Sequence, residues 1–240
     1  MKDAHRKLSK RYGDASYKDF VDKGYLPEAV INYLALTGWS PKGEREIFTL
    51  QELIEAFDVD GISKSPAIFD YEKLRYINAE HIRALPLDKF VELARPYIEQ
   101  ATSRRDIDVE VLCEAMQPRC EVLGEIPEKL LFLDGVPVYE KDLYFNKKMK
   151  TNPETSLTAL QWMLPVLEGI GNWNKEAIHE ALFALIAEKE VKNGFMLWPL
   201  RVALSGMPTT PGGGIELAAI LGKEDSVRRV KDAIDYLGSN

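Results

Sequence analysis

Cysteine and histidine are scarce in this chain. Two cysteines, Cys113 and Cys120, and three scattered histidines, His5, His81 and His179, occur among 240 residues. Two cysteines are too few for a disulfide scaffold, and the five residues show no paired-ligand zinc spacing. The composition therefore predicts reduced, buried thiols and no metal site.

Long hydrophobic runs are also absent. No stretch reaches the roughly 18 apolar residues that a membrane-spanning helix needs. The first residues form no apolar core of a secretory signal either. We expect a cytoplasmic protein without a membrane segment.

Positive charge is in deficit overall but is concentrated locally. The formal net charge is −7, from 31 Lys and Arg against 38 Asp and Glu. Residues 1–20 nevertheless hold six Lys or Arg against three Asp, and residues 141–150 hold four Lys against one Asp, so each segment carries +3. Two basic segments on an acidic protein are typical of a selective nucleic-acid binder, because the remaining surface repels arbitrary polyanions.

Helical periodicity dominates the chain, and strand signals are sparse. Capping residues and apolar stripes predict helices that begin near the following residues: Pro27, Thr49, Asp70, Asp88, Asp106, Pro127, Asn174 and Lys223. The helix from Asn174 is expected to run to Asn193, with Gly194 as its stop. Pro96 is expected to bend or end the helix from Asp88. The pattern predicts an all-α fold in three pieces, 1–86, 87–146 and 147–240.

A short polar loop near the start carries two ammonium groups around a serine: Lys7-Leu8-Ser9-Lys10-Arg11. Such a loop can close on the charge that develops on a leaving pyrophosphate when a carboxylate attacks the α-phosphate of ATP. By itself the motif favours a solvated N-terminal turn, because lysine-rich loops are common.

Several short segments that follow this loop along the chain make the motif more specific. They are Tyr12-Gly13-Asp14, Gly24-Tyr25-Leu26-Pro27-Glu28-Ala29, Gly38-Trp39-Ser40, Ser63-Lys64-Ser65-Pro66-Ala67, Ile82-Arg83-Ala84-Leu85-Pro86, Pro199-Leu200-Arg201-Val202-Ala203-Leu204-Ser205-Gly206 and Leu221-Gly222-Lys223-Glu224. Together with the lysine loop they resemble bacterial glutamyl-tRNA synthetases, which are class I aminoacyl-tRNA synthetases. The resemblance implies a helical stem-contact domain followed by two helical, cage-like anticodon-binding domains.

The resemblance also implies roles for the lysine loop. Lys7, Ser9, Lys10 and Arg11 match the positions that contact ATP phosphates, with Lys7 and Lys10 assisting catalysis, and the intact family enzyme uses magnesium. We expect the catalytic nucleotide-binding half to be absent from this chain, so the chain alone should bind no cofactor and should not aminoacylate.

Four further residues match anticodon-contacting positions of the family. Arg201, Thr210 and Gly213 belong to a helix and glycine-rich turn, and Arg119 follows a proline at the end of the corresponding helix. Gly213 departs from the apolar residue that bacterial members often have there. The alternative interpretation of Arg201, Thr210 and Gly213 is a helix that ends in an ordinary glycine turn. The alternative interpretation of Arg119 is a surface arginine without a role in recognition.

The predicted partner is glutamate tRNA, bound by a monomer that contacts the inner stem and reads the anticodon. The alternative hypothesis is a helical protein-interaction scaffold without nucleic-acid binding, which the acidic balance would suit.

Overall fold

The computed structural model describes residues 16–65 and 67–239. Twelve α-helices lie in these ranges: α1 Tyr17–Asp22, α2 Pro27–Gly38, α3 Leu50–Ala56, α4 Tyr71–Ala84, α5 Leu87–Ala101, α6 Val109–Met116, α7 Ile126–Lys129, α8 Pro153–Gly169, α9 Lys175–Glu188, α10 Asn193–Ser205, α11 Gly214–Leu221 and α12 Lys223–Gly238. Within the described ranges there are two isolated β-bridges and no strand. The all-α class predicted from the sequence is confirmed.

The chain divides into two compact units, and each unit is built from two separate segments of the chain. The first comprises the residues up to Tyr97 together with Gln117–Ile126, and the second comprises Ile98–Met116 and the residues from Pro127 onward. The chain thus leaves the first unit, contributes α6 to the second, and returns before leaving again. The three-piece division at 86/87 and 146/147 stays a prediction.

Aromatic side chains form much of the core of the first unit. Trp39, Phe48 and Leu53 pack together in one buried cluster. Tyr33 is also buried, and its ring meets Phe69 edge-on at 4.9 Å. Tyr33 and Trp39 are therefore both core residues of the first unit.

The returning segment is bound tightly to the rest of the first unit. The side chain of the buried Asn78 on α4 accepts from the backbone of Leu26 at 2.8 Å and donates to the carbonyl of Glu121. Gly24, at φ +90°, lies so close to Gly124 that a Cβ added to it would stand 2.3 Å from the Gly124 nitrogen. Neither glycine can therefore be replaced without moving backbone.

Helices α8 to α12 form most of the second unit. Helix α12 packs on α8 and α10, while α11 packs on α10, α9 and α6. Arg229 of α12 is only 2% exposed. Its guanidinium donates to the carbonyls of Phe132 and Leu204, each at 2.7 Å, and pairs with Asp225 at 2.9 Å.

Helix starts agree well with the sequence. Helix α2 begins at Pro27 and ends at Gly38, and Thr49 and Glu52 form the predicted capping box of α3. Helix α12 runs from Lys223 as expected.

Within the described ranges, no helix is both long and apolar enough to cross a membrane.

One predicted helix end is wrong. The helix from Asn174 ends at Glu188, because Glu190 adopts a left-handed backbone (φ 54°) and Val191 bonds back to the Ile186 carbonyl at 3.3 Å, as in a Schellman-type end. Gly194 therefore lies in the first turn of the next helix. Pro96, expected to bend or end α5, does not end it, since the helix continues to Ala101; the bend stays a prediction.

Three further details also differ from the sequence predictions. Asp108, not Asp106, caps α6 by accepting from the backbone of Glu110 and Val111, while Asp106 pairs with Arg104. The helix predicted to begin near Pro127 is only the short α7, which ends at Lys129. Helix α8 was not predicted.

We expect Arg229→Met to destabilise the protein by about 3–5 kcal/mol, because the variant removes one partner of a buried ion pair and leaves two buried carbonyls without their donor. Urea unfolding measures this loss as a lower midpoint at an unchanged slope.

The matched control is Arg228→Met on the same helix, whose side chain is 60% exposed. An exposed ion pair contributes about 1 kcal/mol or less. Equal midpoints for the two variants would contradict the assigned role of Arg229.

Candidate nucleic-acid interface

Helix α10 places Arg201 one turn before its C-terminus. The helix ends at Ser205 because Gly206 takes the left-handed conformation (φ 60°) and its N–H returns to the Val202 carbonyl at 2.7 Å. The chain then turns through residues 207–213 and enters α11, so the turn folds back over the Arg201 side chain.

The guanidinium of Arg201 is held on two sides. It lies 4.2 Å from the centre of the Trp198 ring, in a cation–π contact. Its Nη1 donates to the carbonyl of Pro208 at 2.9 Å and to Thr210 Oγ1 at 3.4 Å. The turn and the helix thereby fix the plane of the guanidinium.

Arg201 nevertheless keeps unused hydrogen-bonding capacity. Its Nε and Nη2 are buried and have no hydrogen-bond partner in the part of the chain that the structure describes. Burial lowers the pKa of the Arg201 guanidinium, which stays charged because arginine titrates far above neutral pH. Buried charged donors without acceptors are costly and are typical of a site that a ligand completes.

The glycine turn is fixed by its own hydrogen bonds. Thr210 Oγ1 donates to the Gly212 carbonyl at 2.7 Å, and the backbone N–H of Gly213 donates to Glu216 Oε2 at 2.9 Å. Gly214 lets α11 approach α10, because an added Cβ would lie 3.0 Å from the Leu197 carbonyl oxygen. The structure thus brings Arg201, Thr210 and Gly213 together, as the sequence predicted for one region.

A cavity of about 400 Å³ opens beside these residues. Its wall includes Met149, His179, Phe183, Trp198, Arg201, Gly213 and Glu216. The rings of His179 and Phe183 are stacked with their centres 4.0 Å apart. Aromatic faces, a guanidinium and a carboxylate around one cavity suit a flat heterocycle with polar edges, such as an unstacked nucleobase.

Several residues of this cavity were missed by the sequence analysis. His179 and Phe183 are one helical turn apart on α9, a spacing that places both on one face. Trp198 carries the Arg201 guanidinium in the cation–π contact. Glu216, three residues after Gly213, has the capping-box spacing that could have indicated its contact with the turn.

Arg119 belongs to a different unit from Arg201, Thr210 and Gly213. It is exposed, ends the 3-10 helix Gln117–Arg119, and belongs to the first unit, whereas Arg201, Thr210 and Gly213 belong to the second. The side chain of Gln117 fixes this short helix by donating to the carbonyls of Ile82 and Leu85, at 2.9 and 2.8 Å.

The remaining predicted site residues, Lys7, Ser9, Lys10 and Arg11, lie outside the described residues. Among the residues that are described, no group of three or more His, Cys, Asp or Glu side chains could hold a metal ion.

Comparison with known protein families shows which family the chain belongs to. The model of the family described as "Anticodon binding domain" matches residues 89–234, which include Arg119, the turn and the cavity. The model described as "tRNA synthetases class I (E and Q), catalytic domain" matches residues 1–76. The chain belongs to the anticodon binding domain family.

Individual relatives narrow the class further. The chain is 53% identical over 237 residues to a glutamate–tRNA ligase of Clostridium botulinum, and 49% identical over 240 residues to that of Clostridium novyi. Each alignment covers 99% of this chain and 49% of the relative, so the chain spans about half the length of these ligases.

Solved structures agree with this similarity. A glutamate tRNA ligase from Elizabethkingia meningosepticum, solved in complex with its amino acid, superposes with a TM-score of 0.78 at 26% identity. The superposition covers 98% of this chain and 50% of that one. The predicted resemblance to glutamyl-tRNA synthetases is therefore confirmed.

We expect Gly214→Ala to destabilise the protein by about 1–2 kcal/mol, because the new methyl group would press on backbone atoms of α10 that cannot move independently. The adjacent Gly213→Ala is the control. There an added Cβ meets only the Glu216 carboxylate at 2.9 Å, which can rotate away.

Urea unfolding of both variants tests this difference. If Gly213→Ala proved as destabilising as Gly214→Ala, the close approach of α11 to α10 would not be the constraint described above.

Proposed function

We propose that this chain binds tRNA and that the Arg201 cavity receives one unstacked base of the anticodon. The observation that carries the proposal is the pair of buried, unpartnered Arg201 donors beside an aromatic-walled cavity, on a chain of the anticodon binding domain family. A base carbonyl or ring nitrogen would satisfy these donors, and the base would leave its stack to reach them.

Each wall of the cavity has a chemical task in this proposal. Arg201 donates to acceptors on the base edge, and Glu216 accepts from an exocyclic amino group. The aromatic faces bind the flat surface of the base, a contact that contributes roughly 1–3 kcal/mol in single-stranded recognition. Thr210 and Gly213 maintain the turn that holds Arg201 and Glu216 at the correct separation.

The similarity to glutamate–tRNA ligases supports glutamate tRNA as the specific partner. In the intact enzyme we assign residues 1–86 to the inner stem of the tRNA, and Arg119 to a second anticodon base. Lys7, Ser9, Lys10 and Arg11 would contact the phosphates of ATP, which the intact enzyme would use with magnesium to activate glutamate. We further propose a monomer that acts in the cytoplasm.

Direct binding tests the proposal. The purified chain is titrated with glutamate tRNA, with the same tRNA carrying an altered anticodon, and with an unrelated tRNA. Tighter binding to the native anticodon supports the proposed reading. Equal binding to all three, or none, would favour the protein-interaction scaffold.

Arg201→Ala should weaken binding of glutamate tRNA about 10- to 100-fold and remove discrimination against the altered anticodon, because each well-formed base contact contributes roughly 1–3 kcal/mol of discrimination. Fluorescence anisotropy with labelled tRNA measures both effects.

Two controls accompany this variant. Arg201→Lys keeps a positive charge but loses the planar fork, so it should retain affinity better than discrimination. Arg228→Ala removes an exposed arginine from α12 and should change neither. Unchanged discrimination in Arg201→Ala would exclude the cavity as a base-reading site.

Arg119→Ala should reduce discrimination at a different anticodon position from Arg201→Ala, since the two arginines belong to different units. Binding to a panel of tRNAs with single anticodon changes identifies the position. If Arg119→Ala discriminated among the whole panel as the wild type does, Arg119 would have no part in the reading.

A further inference from the structure

A tight loop, Phe145–Thr151, presents three exposed lysines on the second unit. Lys147, Lys148 and Lys150 are all exposed, and within the described part of the chain none of them forms an ion pair with a carboxylate. Other basic residues of this unit are paired: Arg104 with Asp106 and Arg228 with Asp225. Three unpaired ammonium groups are therefore concentrated on one turn of a protein whose net charge is −7.

The loop is rigid before any ligand arrives. Asn146 and Thr151 exchange two backbone hydrogen bonds, at 3.0 and 3.1 Å. Thr151 Oγ1 donates to the Tyr144 carbonyl at 2.8 Å, and Asn146 Oδ1 accepts from the Met149 N–H at 3.1 Å. A preorganised loop loses little conformational entropy when its charges engage a ligand.

Lys150 occupies a backbone conformation that usually belongs to glycine. Its φ is 58°, in the left-handed region, which costs a residue with a Cβ about 1 kcal/mol or more. A lysine at this position gives up stability and provides a charge in exchange. Strained positions of this kind occur often at functional sites.

Met149 connects the loop to the cavity described above. Its side chain is part of the cavity wall and packs so closely on Gly194 that a Cβ there would stand 2.2 Å from the Met149 sulfur. Lys148 and Lys150 flank this methionine in the chain. The three ammonium groups are thus carried by the same short loop that closes one side of the cavity.

We propose that the loop Phe145–Thr151 is a phosphate clamp, in which Lys147, Lys148 and Lys150 bind the backbone phosphates of the nucleotides on either side of the base in the cavity. This inference rests on the proposed function, because it takes the cavity to hold a base. Lysine ammonium groups suit this task since they bind phosphodiesters as point charges without reading sequence.

The test is the salt dependence of glutamate tRNA binding by the triple variant Lys147→Gln, Lys148→Gln, Lys150→Gln. Each lost phosphate contact on a single strand lowers the slope of log K against log salt by about 0.7, so the variant's slope should be shallower than that of the wild type by about 2. Its affinity at low salt should fall at least about tenfold, while its preference for the native anticodon should persist.

A matched control removes the same charge elsewhere on the second unit: Arg105→Gln, Arg228→Gln, Lys231→Gln. If this control lowered the slope as much as the lysine variant does, the effect would be one of net charge and the clamp would be overturned. A lysine variant with the wild-type slope would also overturn it.

Lys150→Gly separates charge from backbone structure. Glycine relieves the left-handed strain, so thermal stability should stay equal or rise while the salt slope falls by about 0.7.

Failure of the proposed function gives a different result from failure of the clamp. A wild-type chain without anticodon preference overturns base reading, and the salt slopes still test the clamp. A wild-type chain that binds no tRNA overturns both.

Discussion

The buried guanidinium of Arg229 is the interaction on which the second unit depends. It is bonded at once to the last turn of α10, to the connection at Phe132 and to Asp225 on its own helix. Asp225 is bonded in turn to Arg104, which extends the network to the segment before α6. A hydrophobic side chain could fill the same space but could not satisfy main-chain carbonyls from two separate segments. The end of α10, and with it the geometry of the following turn, is fixed by this network.

The geometry of the Arg201 cavity arises from helix packing more than from a dedicated loop. Arg201 is oriented by Trp198 below it and by the turn above it, and the turn is in place because Gly214 allows α11 to lie against α10. Where the turn enters α11, the backbone N–H of Gly213 donates to the Glu216 carboxylate. A change in packing distance between two helices would therefore alter which atoms face the cavity.

Features that depend on neighbouring residues in the chain were predicted well from the sequence. Features that depend on tertiary packing were not. The starts of α2 and α3 depend on a proline and a capping box, which act within a few residues. Arg201, Thr210 and Gly213 could be grouped because a dozen residues separate them. His179, Phe183 and Met149 come from other segments and meet Arg201 only through tertiary packing, so no spacing rule identifies them. The early end of α9 depends on one left-handed residue, Glu190, which composition does not mark.

The contact between Gly24 and Gly124 has a consequence for how the chain is made. The first unit is completed by a segment that lies about a hundred residues after Gly24, beyond the residues of α6 that belong to the other unit. Domains generally fold as units while the ribosome extends the chain from the N-terminus. Here the surface around Gly24 and Asn78 must wait uncovered until residues 117–126 have emerged, and α6 emerges before the helices it will pack against. The order of synthesis and the order of assembly therefore differ: the first unit can close once residue 126 has emerged, whereas α6, made earlier, must wait for the later helices of the second unit.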